Sequence, residues 1–180
     1  MKKIIWISCF LLLLTGCDFG KEMVNTPTKQ VELFLMKYQM VDEDIMKDLN
    51  YVVAEEELFN TKQREAYKEI MKNHFKNLSY EIKDERIDKD QAVVTAEVKV
   101  NNHASVLEQA EKYSQKNESE FYDENGEFSL SKYTDYRLEK LKQSKERVTY
   151  TIDFTLTKDG KEWKLDPLSS ENQKKINGIY

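Results

Sequence analysis

The sequence predicts an α+β fold: a curved antiparallel sheet of about four strands packed on N-terminal helices, with a helical insertion between two hairpins. Three observations carry that expectation. Apolar residues recur at helical spacing from Val31 to Phe75 and alternate with polar ones over 78–100 and 148–165, and between those hairpins the stretches 104–117 and 131–146 favour helix again. One apolar face per element calls for helices laid on one side of an antiparallel sheet. Five glycines and two prolines in 180 residues suit long regular elements with few tight loops.

The first residues read as an address. Lys2 and Lys3 precede an apolar run from Ile4 to Leu14, which is 11 residues long. As a helix it reaches roughly 16 Å, about half of a ~30 Å hydrocarbon core, so it has the anatomy of a secretory signal peptide and is too short to span. The run ends in Leu14-Thr15-Gly16-Cys17. That tetrapeptide resembles the lipobox of bacterial lipoproteins. The resemblance implies that Cys17 receives a diacylglyceryl thioether and that cleavage falls between Gly16 and Cys17. A thiol suits the step because thiolate sulfur is the nucleophile. Two acyl chains anchor stably where one is marginal. Residues 1–16 are thus expected to leave as a signal peptide and 17–25 to form a tether. A single α+β domain is expected over 26–180.

Removing Lys2 and Lys3 takes the formal charge from −5 to −7. An acidic, lysine-rich surface argues against nucleic acid as a partner. Cys9 is lost with the leader, so Cys17 is the remaining cysteine and no intramolecular disulfide is expected.

Along the domain, Thr26 caps a first helix with Pro27 in its first turn, and Val31, Phe34, Leu35 and Tyr38 share a face. Asp42 caps a second helix carrying Ile45, Met46 and Leu49. A third begins near Asn60 or Thr61 and carries Ala66, Tyr67, Ile70, Met71 and Phe75. The first hairpin pairs Leu78, Tyr80 and Ile82 with Val94, Ala96, Val98 and Val100 across a turn at 88–91. Ile87 is out of phase with Ile82, so a bulge or an early end is expected. In the insertion, 104–117 and 131–146 favour helix around a turn at Asn125-Gly126. Val148, Tyr150, Ile152, Phe154 and Leu156 then alternate with polar residues, Asp159-Gly160 reads as a hairpin turn, and Trp163 and Leu165 return. A short helix is expected from Ser170.

The front "TPTKQVELFLMKYQ" and the closing "DGKEWKLDP" resemble small lipoproteins with a nuclear transport factor 2-like or cystatin-like cone. The resemblance implies a curved sheet wrapped on a long helix, with the tryptophan packed inside. It implies no catalytic signature, and fold analogy alone supplies no function.

Few residues point to chemistry. His74 and His103 have no spacing that joins them in a metal site, and the expectation is two unrelated, exposed or half-buried rings. In "DENGE" the glycine, sixth in an EF-hand, would put Phe121 first, so no calcium loop is expected. No cofactor motif is found. Tyr113, Phe121, Tyr122, Phe128, Tyr133 and Tyr136 gather in an acidic stretch. They are read as a ligand or partner surface, or more blandly as an insertion whose rings pack on the body. Tyr150 and Asp153 point to opposite faces of one strand and cannot serve one pocket. The expectation is a non-enzymatic module on the outer face of the cell membrane, holding a small-molecule ligand or an envelope protein. A structural or assembly factor is the alternative, and an isomerase-like enzyme a lesser one.

Overall fold

In a computed structural model of the chain, residues 25–55 and 59–180 are described. Gly16 and Cys17, the cleavage and lipid-attachment positions, lie outside them. Three helices come first: α1 (Pro27–Met40), α2 (Glu43–Glu55) and α3 (Thr61–Lys76). The hairpin β1 (Ser79–Asp88) and β2 (Gln91–Asn101) follows. The insertion contains α4 (His103–Lys116), a 3-10 turn (Glu118–Phe121) and α5 (Leu130–Gln143). The hairpin β3 (Arg147–Asp159) and β4 (Glu162–Leu165) precedes α6 (Ser170–Ile176).

Side chains set the helix starts. Thr26 accepts from Lys29 N–H with Pro27 in the first turn, Asp42 accepts from Ile45 N–H, and Asn60 and Gln63 form a reciprocal capping box. α1 ends at Val41 with φ 51°, its N–H donating to the carbonyls of Lys37 and Tyr38. A β-branched residue in the left-handed region costs about 1–2 kcal/mol. Here the side chain is half-buried against the core, which offsets the strain.

The strands lie in the order β1-β2-β3-β4, all antiparallel. Val94 faces Phe154 and Ala96 faces Ile152 across β2 and β3, so one face is apolar throughout. Ala92, Val94, Ala96, Val98, Val100, Ile152, Phe154 and Leu156 are buried there under Val31 and Leu35 of α1. Trp163 joins this core. The expected irregularity in β1 is a bulge: the register shifts between Ile82 and Asp84, and Lys83 is the extra residue. Its ammonium pairs with Glu81 at 2.8 Å and Glu97 at 3.0 Å. At the other edge β4 has four residues, and α1 packs against it.

The second hairpin turns one residue later than the sequence suggests. Asp159 pairs with Glu162, so the loop is Gly160-Lys161. The positive φ falls on the first loop position, where Gly160 takes it at 62°.

The insertion has a small core of its own. Val106, Leu138 and Leu141 close on Ile70 at the back of α3. Buried Gln63 adds a polar tie, donating to the Ser131 carbonyl at 3.1 Å and to the Asp135 carboxylate at 2.9 Å. No helix among the described residues is long and apolar enough to cross a membrane.

Candidate functional site

The inner face of the sheet is sealed, since Val94, Ala96, Val98, Val100 and Phe154 are all fully buried. Space opens one layer further out. A groove of about 480 Å³ lies between α1, α2, α3 and the segment around α6. Helical spacing builds its walls. Phe34 and Tyr38 are one turn apart on α1, and Tyr67, Met71 and Phe75 repeat every four residues on α3. Ile45, Leu49 and Val52 line α2 together with Asp48. Asp48 interrupts an otherwise apolar stripe. It is exposed, and it is the one charged residue on the groove's border among the described residues.

The rings in this wall stand edge to face. Phe34 and Tyr38 have centroids 5.3 Å apart at 70°, and Tyr38 and Phe75 are 5.1 Å apart at 71°. Loss of water pushes the Tyr38 hydroxyl up to about 12, and the negative charge of Asp48 adds to the shift. Tyr38 is therefore a neutral hydroxyl across the ordinary pH range. A concave apolar wall with a few polar groups is the usual form of a small-molecule site. Sequence reasoning tested Tyr150 and Asp153 for a tyrosine–carboxylate pair and missed Tyr38 and Asp48. The signal was present, because an acid within the apolar stripe Ile45, Leu49, Val52 is out of pattern.

The two histidines are neither exposed nor unrelated. His74 and His103 are both buried, with ring centroids 4.4 Å apart and planes tilted by 40°. His74 Nε2 donates to the Ile176 carbonyl at 2.7 Å, which leaves buried Nδ1 without a partner. His103 Nε2 is likewise unpartnered, while the backbone of Asn177 bonds its ring. Burial drives both rings toward the neutral form. It lowers His74 to about 4, and it lowers His103 to about 3 with a further contribution from His74. Each histidine lies on the apolar stripe of its helix, and the stripes meet because α3 and α4 converge at the C-terminal segment. No group of three or more metal-ligating side chains occurs among the described residues.

The aromatic residues of the insertion form a cluster around Phe121, which is buried. Tyr113, Phe128, Tyr133 and Tyr136 all contact its ring, at 5.3–6.5 Å. Tyr113 and Tyr136 stack at 5.1 Å, and the Tyr113 hydroxyl donates to Glu120. Tyr122 takes part through its backbone, bridging to Phe128 and accepting from Lys132 Nζ at 2.6 Å. Phe128 and Tyr113 keep about two-fifths of their surface in water. An open basin of about 760 Å³ beside them is bordered by Glu108, Glu111, Glu118, Phe128, Tyr133 and Arg137. Tyr150 donates to the Tyr180 carbonyl at 2.8 Å, while exposed Asp153 accepts from Thr95 at 2.6 Å.

No family model matches this sequence, and no curated protein matches it. Among solved structures, the crystal structure of ycdA, a candidate lipoprotein of Bacillus subtilis, is similar at 20% identity with a TM-score of 0.41. The likeness covers 67% of this chain and 38% of ycdA, so the chain spans well under half of that protein's length.

Proposed function

We propose that this protein is a lipid-tethered module on the outer face of the cell membrane, which holds a small molecule in the helix-layer groove and does not transform it. The observation that carries the reading is the groove of about 480 Å³, walled by Phe34, Tyr38, Tyr67, Met71 and Phe75. The tether rests on the resemblance of Leu14-Thr15-Gly16-Cys17 to a lipobox. A binding role is favoured over an isomerase-like one by the setting of Asp48. A carboxylate base of that kind works from a desolvated pocket, and Asp48 is exposed. A partner-docking role has one observation in its favour, the half-exposed Phe128 on the insertion beside an acidic basin.

Two measurements test the proposal. Metabolic labelling with palmitate should mark the wild type and not Cys17→Ala; equal labelling of both removes the tether. Neopentylbenzene, an uncharged probe, should shift the NMR signals of Met71 and Phe34 saturably. Val52→Trp should block it, because Val52 lies on the exposed rim. Absence of saturation, or indifference to Val52→Trp, removes the groove.

A further inference from the structure

The geometry points to an organic cation as the groove's ligand: an apolar body with an ammonium head, seated on the α1 and α3 rings and balanced by Asp48. This rests on the groove being a ligand site and adds the class of ligand. Three features carry it. The border holds one charged residue, a carboxylate, and no lysine, arginine or histidine. Among the described residues no cation forms an ion pair with Asp48, although Lys37 a little earlier in the chain pairs with both Asp42 and Asp44. The carboxylate at the groove is thus left to face whatever enters.

The second feature is the wall. Phe34, Tyr38 and Phe75 meet edge to face, so their mutual contacts take up only part of their ring faces. The negative face of an aromatic ring attracts an ammonium, and the attraction grows as water is excluded. Tyr38 contributes a neutral ring of this kind. Third, the chain is acidic, with a formal charge of −5 as written. An acidic body concentrates cations near its clefts and repels anions, and salt weakens both effects. A carboxylate ligand would meet Asp48 with no opposing cation on the border, which disfavours it by like-charge repulsion.

The test compares three probes of one shape class on the full chain by NMR titration: benzyltrimethylammonium, its uncharged carbon analogue neopentylbenzene, and phenylacetate. The wild type should bind the ammonium about tenfold more tightly than neopentylbenzene, and phenylacetate most weakly. Asp48→Asn should bring the ammonium to within about twofold of neopentylbenzene while leaving neopentylbenzene unchanged, as one charge contact removes about tenfold. Asp48 is exposed, so that variant keeps the fold. Equal binding of the ammonium and neopentylbenzene, or tighter binding of phenylacetate, overturns the cation assignment and leaves the groove standing, and an ammonium preference undiminished in Asp48→Asn overturns Asp48 as the balancing charge. Failure of all three probes overturns the groove and the cation together.

Discussion

Gly178 runs so close to Asn101 that a β-carbon placed on it would fall 2.1 Å from the Asn101 carbonyl oxygen and 2.9 Å from His74 Cε1. Its φ is +69°, a conformation that side chains other than glycine resist. Here the C-terminal segment locks against the end of β2, and the Gly178 carbonyl accepts from Ala104 N–H at 2.8 Å.

Gly178→Ala should therefore destabilise the protein by about 2 kcal/mol or more, since steric overlap adds to the backbone cost. Gly126→Ala is the control. Gly126 also has positive φ, at 78°, but nothing lies within 4 Å of its β-carbon position. Its cost should stay near 1 kcal/mol, the backbone contribution alone. Urea midpoints measure both, and equal losses would show that the contact with Asn101 is not tight.

The histidine pair makes stability depend on pH with a definite sign. The folded values, about 4 and about 3, lie below the unfolded value of 6.5. Between those limits the unfolded chain binds more protons, so stability rises with pH. The contribution is complete above pH 6.5 and is lost as pH falls toward 4. For His74 alone it amounts to roughly 3 kcal/mol. Urea denaturation from pH 4 to pH 7 should show this slope, and His103→Phe should reduce it to the share that His74 supplies. An unchanged slope in His103→Phe would show that His103 takes no part in the effect.

Trp163 is 8% exposed and belongs to the main core, with Lys158 Nζ 5.6 Å from its ring centroid. Trp163→Ala should cost about 3–5 kcal/mol. A loss under about 1 kcal/mol would place the ring outside the core.

Phe121 should matter locally. Its neighbours are the insertion's own rings, so Phe121→Ala should lower amide exchange protection over 103–143 far more than in β2 and β3. Uniform loss across the chain would show that insertion and sheet unfold together.

Much of the fold was readable because period and burial agree. The alternation from Ala92 to Val100 and from Ile152 to Leu156 became one face of the sheet, and Thr26, Asp42 and Asn60 capped the helices they precede. The turn at Gly160-Lys161 was displaced by one residue because "DG" signals a hairpin without settling which pair is central. The candidate site was far less legible. Tyr38 and Asp48 stand on different helices, as do His74 and His103, and only the packing of those helices decides that each pair meets. Local pattern can reveal that His74 follows Ile70 on an apolar stripe, and so is buried. It carries no information about the ring that lies on top of it.

The bulge at Lys83 has a bearing on copies crowded side by side. β1 is an edge strand with unpaired peptide groups, the kind of border along which chains zip into fibrils. Its outer half reads Lys83, Asp84, Glu85, Arg86, and the extra residue breaks the even spacing that such zipping requires. Deleting Lys83 would restore that spacing and make the edge a better template for such pairing.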